Sequence, residues 1–402
     1  MMPGEERPCP VCSACEGVAL HDRRFVLPEG HPFSDGYSVV TCGACGAAYA
    51  TPLPPQATFE AFYRDRSKYA DVATGTGSGE HVWDVERLTE TAQQVAAHVP
   101  DRASHIVDVG CGAGGLLRQL RQLGYTRLTG VDPAPACVEA VRQIPGVRSA
   151  VGSLFALPAE AAQADSVVLS HVLEHVRDVS AAVDALRQVL SAEGCVYAEV
   201  PDATRYADFL VAPFLDFNTE HINHFSVGTL TRLFSSRGWR VTASGRKTIR
   251  SSPSTTYPCA WIVATPRGAA APSTARADPD LRDALRRYVT ASDALVARVT
   301  VRCAEEQLAG RRVIIWGTGQ TTAILLADTP LGAARVAAFT DSNPIYHGMR
   351  LAGAPVVPPA QLREWPDLPV VIGSLLHAGE IAAALAALNL PNPIIRLDSS
   401  VP

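Results

Sequence analysis

The chain has 402 residues and a formal net charge of −5, with 47% hydrophobic and 19% charged residues. That length predicts two or three domains, and the apolar content excludes a mainly disordered chain. The acidic balance gives no field for capturing nucleic acid or an anionic membrane, and no run of 18 apolar residues marks a transmembrane helix.

The start, MMPGEERPCP, carries two acids and no apolar stretch, so it does not read as a secretory signal. A cytoplasmic, reducing setting is expected, in which ten cysteines do not form disulfides. Half of them, Cys9, Cys12, Cys15, Cys42 and Cys45, fall within the first 45 residues. Cys9-Pro-Val-Cys12 and Cys42-Gly-Ala-Cys45 are two C-x2-C knuckles separated by 29 residues. Each knuckle aims two thiolates at one ion, and two complete a tetrahedral S4 zinc site. Cys15, His21 and His31 leave the ligand set slightly open. Four thiolates leave no position for chemistry, so the zinc expected on Cys9, Cys12, Cys42 and Cys45 is structural. Residues 1–70 hold six Lys/Arg against eight Asp/Glu, the wrong sign for a nucleic-acid finger.

Residues 60–100 read as helical. From residue 105 the pattern alternates strand and helix: HIVDVG, LLRQLRQL, LTGVD, DSVVLS, SAAVDALRQVL and GCVYAEVP. This is the rhythm of a parallel α/β sheet. Residues 266–280 form a Pro/Ala-rich linker, followed by a helix at about 280–309. RRVIIWGTGQ then restarts the pattern as a second, smaller α/β unit.

The first glycine loop is Asp108-Val109-Gly110-Cys111-Gly112-Ala113-Gly114-Gly115, between a strand and a helix. Its glycines let a ligand approach the backbone. Asp132 ends the next strand, 24 residues after Asp108, where an acid can hold both ribose hydroxyls. Glycine spacing alone leaves NAD open. The D-x-G-x-G-x-G form, however, resembles the class I S-adenosylmethionine-dependent methyltransferases. That resemblance assigns Asp108, Gly110, Cys111, Gly112 and Gly114 to the cofactor's methionine part and Asp132 to its ribose. It also places Ser153 and Leu154 beside adenine, and Ser170 and His171 at the tip of the fourth strand.

His171-Val172-Leu173-Glu174-His175 matches the H-x-x-E-H zinc-peptidase pattern. It follows a sheet strand directly and lacks the continuous helix that pattern needs, so a peptidase is rejected. The same segment is common after the fourth strand of the methyltransferases. His171 is then expected to line the site and His175 to be structural.

A second polar cluster runs from Asp216 to Ser226, DFNTEHINHFS. In this sheet it can reach the carboxyl edge, where acceptors bind. Ser226 also suits a helix cap. Taken with the zinc knuckles and the C-terminal α/β unit, the whole chain resembles the sugar C-methyltransferases acting on nucleotide-linked keto-deoxysugars. Glu220-His221 and Phe225-Ser226 match that family's segment. The resemblance implies His221 as the general base with Glu220 beside it, and an early tyrosine, Tyr63 or Tyr69, near the acceptor. Asn218-Thr219 departs from the aromatic or histidine pair usual there, and Asn218 and His224 are the substitute polar candidates. O-, N- or S-methylation of another small metabolite, and a zinc-stabilised scaffold, are the alternatives.

The second loop, Gly317-Thr318-Gly319-Gln320-Thr321-Thr322, resembles a Rossmann fingerprint with Thr322 in place of the third glycine, and Asp341 ends the next strand. By resemblance this domain helps enclose the acceptor. The fold class expected is therefore α/β: a class I methyltransferase Rossmann-like domain (61–268), an N-terminal zinc-binding domain (1–60), a linker and helix (269–310), and a C-terminal α/β Rossmann-like domain (311–402). The expected partners are S-adenosylmethionine, structural zinc and a small acceptor, with no nucleic acid and no membrane.

Overall fold

The computed structural model describes residues 5–66, 79, 81–252, 255–266 and 278–398. Tyr69 and most of the 266–280 linker lie outside these. Among the described residues no helix is long and apolar enough to cross a membrane.

The N-terminal part carries β1 (Gly17–Arg24), β2 (Gly36–Cys42), β3 (Ala48–Thr51) and helix α1 (Gln56–Asp65). Among the described residues, the helical stretch expected over 60–100 holds the end of α1 and all of α2 (Val82–His98). The central part follows with β4 (His105–Val109), α3 (Gly115–Gln122), β5 (Arg127–Asp132), α4 (Pro135–Arg142), β6 (Val147–Val151), β7 (Ala164–Ser170), α5 (Val179–Ala185) and β8 (Leu190–Pro201). Next come the two-residue strand β9 (Asn223–His224), α6 (Val227–Ser235), β10 (Arg240–Arg250) and β11 (Thr256–Thr265).

Seven of these strands form one sheet in the order β10-β11-β8-β7-β4-β5-β6. The five from β4 to β8 run parallel, and β10–β11 close one edge as an antiparallel hairpin. The parallel core strands are apolar on both faces because helices cover both: Val107, Val131, Val167, Leu169, Val196 and Ala198 are all fully buried. This is the class I Rossmann-like fold. The chain leaves β4 toward β5 on one side and returns on the other side at β7. The crevice between the carboxyl ends of β4 and β7 is therefore the ligand position of such a sheet.

The C-terminal part begins with α7 (Pro279–Glu305), capped by Asp278. It continues with β12 (Arg312–Trp316), α8 (Gln320–Asp328), β13 (Arg335–Thr340), β14 (Arg350–Leu351), β15 (Ala354–Val357), β16 (Val370–Ile372), α9 (Ala378–Ala387) and β17 (Ile394–Arg396). Their sheet order is β14-β15-β13-β12-β16-β17, parallel except for β14.

These parts share cores. The strand β9 does not join the central sheet that precedes it. It pairs with β3, so the N-terminal sheet reads β1-β2-β3-β9. An aromatic cluster also crosses the parts. Phe33, Phe59 and Phe62 come from the N-terminal part, Phe214 and Phe217 from the central part, Tyr288 from α7 and Ile324 from α8. Helix α7 is thus a packed element whose Leu281, Leu285 and Tyr288 are fully buried, and not a spacer.

Candidate active site

Glycines build the first half of the site. The backbone between β4 and α3 turns through Gly112 at φ 50° and Gly114 at φ 81°. A β-carbon on Gly114 would lie 2.6 Å from Ile144 and 2.9 Å from Val141, so that position is closed to side chains. A β-carbon on Gly112 would meet nothing within 4 Å, because Gly112 borders open space. Asp132 Oδ2 accepts the Gly112 N–H and its Oδ1 the Ala134 N–H, both at 2.9 Å. These two bonds anchor the carboxylate at the edge of the loop.

The loop opens on a cavity of about 350 Å3, of a size suited to a small ligand. Of the expected cofactor residues, Asp108, Gly110, Cys111, Gly112, Asp132, Ser153, Leu154, Ser170 and His171 line it. Gly114 does not; it shapes the turn behind. The Asp108 carboxyl is pushed up to about 7 by burial, reinforced by the charges of Asp132 and Glu199. Below the same crevice, Glu199 bonds Lys247 Nζ at 2.6 Å, Ser170 Oγ at 2.7 Å and Tyr197 Oη at 2.8 Å. Burial works to raise the Glu199 carboxyl, but Lys247 and His171 outweigh it and hold it down to about 2.

The second half of the site surrounds His221, which lines the same cavity together with Tyr63, Glu174 and His175. The His175 and His221 rings meet edge to face at 4.9 Å. His175 Nδ1 lies 3.0 Å from the Glu220 carbonyl oxygen and 3.0 Å from Tyr63 Oη. A carbonyl only accepts, so Nδ1 carries a proton. His175, which the sequence suggested was structural, lines the cavity. It orients both the tyrosine and the His221 turn.

His171, in the left-handed region at φ 56°, contacts Glu174 at 3.2 Å and Cys259 at 3.5 Å. Burial works against its protonation, but Cys259 and Glu174 prevail and push the imidazole up to about 10.

Three expected residues stand behind the cavity wall. Asn218 Oδ1 accepts the N–H groups of Glu220 and His221 at 2.8 and 2.9 Å, and its amide donates to the Leu215 carbonyl. It shapes the turn and does not face the cavity. Glu220 is buried and offers its carbonyl, not its carboxylate, to His175. His224 is fully buried in β9, 4.7 Å from the Phe217 ring, and burial lowers its imidazole to about 3. It is a neutral packing residue. Ser226 caps α6 in a capping box with Thr229. Sequence reasoning passed over Glu174, Trp83, Phe155 and Tyr257, which also line the cavity. The H-x-x-E-H string was the one available signal for Glu174.

The segment from Asp216 to Asn223 is clamped from every side. Arg7 donates to the carbonyls of Ala50, Arg177 and Ile222 and to Asn223 Oδ1, at 2.7–2.9 Å. Asn223 in turn donates to the Leu173 and Val176 carbonyls. Tyr37 donates to the Asn218 carbonyl, and the Asp216 N–H donates to Tyr288 Oη. From the C-terminal part, Gln320 Nε2 donates to Thr219 Oγ1 at 2.7 Å.

The cysteine site lies beside this frame. The sulfurs of Cys9, Cys12, Cys42 and Cys45 all fall within 4.8 Å of one another, with Cys9–Cys45 and Cys12–Cys42 both at 3.5 Å. A tetrahedral ion with bonds of about 2.3 Å needs edges of roughly 3.8 Å, so the donor set fits zinc. Cys15 is exposed and outside the cluster. His21 stacks on Phe214 and His31 packs on Phe33, so neither joins it.

Residues 92–244 match the methyltransferase domain family. The ubiquinone biosynthesis O-methyltransferase of Methylocella silvestris is 34% identical over 110 residues, covering 26% of this chain and 43% of that protein. The protein of the same name from Xylella fastidiosa is 29% identical over 125 residues, covering 29% and 50%. The chain thus spans half or less of the length of these curated relatives. Among solved structures, the 1,6-didemethyltoxoflavin-N1-methyltransferase of Burkholderia thailandensis is 18% identical with a TM-score of 0.39, covering 54% of this chain and 94% of that one. The family match and the class I sheet agree on the central part: it is an S-adenosylmethionine-dependent methyltransferase domain.

Proposed function

We propose that the protein transfers a methyl group from S-adenosylmethionine to carbon of a nucleotide-linked keto-deoxysugar, with His221 as general base. One observation carries this reading. The glycine loop with Asp132 and the Tyr63–His175–His221 group line a single cavity. Asp132 would hold the cofactor's ribose, and the Gly110–Gly112 backbone its methionine end. When bound, that cofactor supplies an electrophilic methyl on a cationic sulfur.

The chain's own residues prepare the acceptor. A hydrogen alpha to a ketone is weakly acidic. An imidazole nitrogen of His221 takes it, and Asn218 fixes the backbone from which His221 projects. Tyr63, oriented by His175, is the donor for the enolate oxygen. Zinc on Cys9, Cys12, Cys42 and Cys45 holds the sheet that carries β9, next to His221. The partners proposed are small molecules, without nucleic acid.

The test is His221→Gln with a nucleotide-linked keto-deoxysugar in deuterated water. Both methylation and alpha-hydrogen exchange should be abolished. Methylation that survives the change removes His221 as the base.

A second reading, O-methylation of a phenolic acceptor, is favoured by the aromatic wall of Phe59, Trp83, Phe155 and Tyr257 and by the relatives' names. It predicts methyl transfer to a phenol with no carbon-bound hydrogen exchanging.

A further inference from the structure

Glu174 is the cavity's unexplained carboxylate. It sits in the short turn Leu173–His175 after β7 and is 1% exposed. Oε1 lies 3.2 Å from His171 Nδ1 and 3.9 Å from His175 Nε2, while Oε2 is buried and has no hydrogen-bond partner. A bare buried carboxylate oxygen is costly, on the order of 1–3 kcal/mol or more, and a cation would relieve it.

Two imidazoles stand close enough to share that cation. One ligand atom each from Glu174, His175 and His221 lies within 4.8 Å of the others. The grouping is built by tertiary contacts, since the Ile222 N–H donates to the Glu174 carbonyl at 2.9 Å and docks the His221 turn against the 173–175 turn. His175 is already set for ligation. Its Nδ1–H donates to the Glu220 carbonyl, the contact that outer partners make with metal-bound histidines, and its Nε2 lies 3.9 Å from Glu174 Oε1. Two imidazoles and one carboxylate suit zinc, cobalt or nickel rather than magnesium or calcium, which take oxygen ligands.

We propose that the reaction cavity is a second metal site, separate from the four-cysteine cluster. It binds a divalent transition ion through Glu174, His175 and His221. The ion takes the nitrogen lone pair of His221, so its binding shuts off proton removal from the acceptor. The remaining coordination positions face the cavity and are filled by water. The binding half stands on the donor geometry alone; the inhibitory half rests on His221 being the base.

The test uses the whole 402-residue chain with one zinc already in the cysteine cluster. Co2+ is titrated in and followed by calorimetry and visible absorption. One Co2+ per chain should bind with d–d bands of nitrogen/oxygen ligation and no thiolate charge-transfer band. Affinity should fall at least about tenfold in His175→Gln and in Glu174→Gln. His175→Gln guards against misfolding of the more buried Glu174 variant, and S-adenosylmethionine binding checks that each variant is folded. Alpha-hydrogen exchange of a nucleotide-linked keto-deoxysugar should stop as Co2+ binds and return with a chelator that leaves the zinc content unchanged. No second ion, a thiolate band, or unchanged affinity in both variants overturns the site. Variant-sensitive binding with exchange undiminished keeps the site and overturns His221 as the base.

Discussion

The two glycine loops begin from the same pattern and end in different roles. Each follows a sheet strand, opens a helix and is tied to an aspartate at the tip of the next strand. In the first, Asp132 holds one loop N–H, at Gly112, and faces the cavity. In the second, Asp341 Oδ2 takes both the N–H and the hydroxyl of Thr318, and Oδ1 takes the Asn343 N–H. The sixth loop position is Gly115 in one and Thr322 in the other. Thr322 is fully buried, and its hydroxyl lies 2.6 Å from where a β-carbon on Gly373 would be and 3.3 Å from one on Gly317. It packs beside Gly317 and Gly373, which follow β12 and β16. None of the second loop's residues lines the 350 Å3 cavity among the described residues. What that loop does is send Gln320, the first residue of α8, to Thr219, two residues before His221. Matching motifs thus have different surroundings: the sixth loop position is a glycine in one and a buried threonine in the other.

The largest expected effect separates the two aspartates. Asp132→Ala should weaken S-adenosylmethionine binding about a thousandfold, the loss of two charge-assisted bonds at about 2 kcal/mol each. Asp341→Ala should leave it within about twofold. Equal losses in calorimetry would erase the distinction.

Next comes the support of the His221 segment from the side of the four-cysteine cluster. Arg7→Met removes four hydrogen bonds from a buried cation. It should cost about 3 kcal/mol in denaturant unfolding and lower kcat without changing cofactor affinity. An unchanged kcat would detach Arg7 from His221.

The third concerns pH. The Asp108 carboxyl rises from 3.8 to about 7 in the fold. A folded value above the unfolded one means that the folded state holds the proton more tightly. That contribution to stability is complete below about pH 4 and is lost as pH climbs to about 7. Asp108→Asn should flatten the melting-temperature profile across that window; a variant that melts with the parent's pH slope would refute the assignment.

The smallest is Gln320→Ala, which removes the second loop's contact. It should cost about 1 kcal/mol and lower kcat several-fold, again with cofactor affinity intact. A change in cofactor affinity would mean that the second loop reaches the first.

The sequence by itself determined the local chemistry. Short strand–glycine–helix runs with an acid at the next strand tip are written in adjacent residues, because backbone conformation at a glycine turn is a local property. The four clustered cysteines were legible for the same reason: each knuckle is four residues long. Helix ends such as Ser226 followed from capping, also local.

The tertiary structure decided which polar residues face the cavity. Asn218, Glu220 and His224 share one eleven-residue segment with His221, and no periodicity tells the inward side chain from those behind the wall. That depends on β9 pairing with β3, on Arg7 reaching Ile222 and Asn223, and on Gln320 reaching Thr219. These contacts join residues roughly one hundred or more positions apart. Glu174 and His175 were visible only as a string to reject until the His221 turn docked on them. Such choices lie with long-range packing because a buried polar group must find its partner wherever the fold brings one.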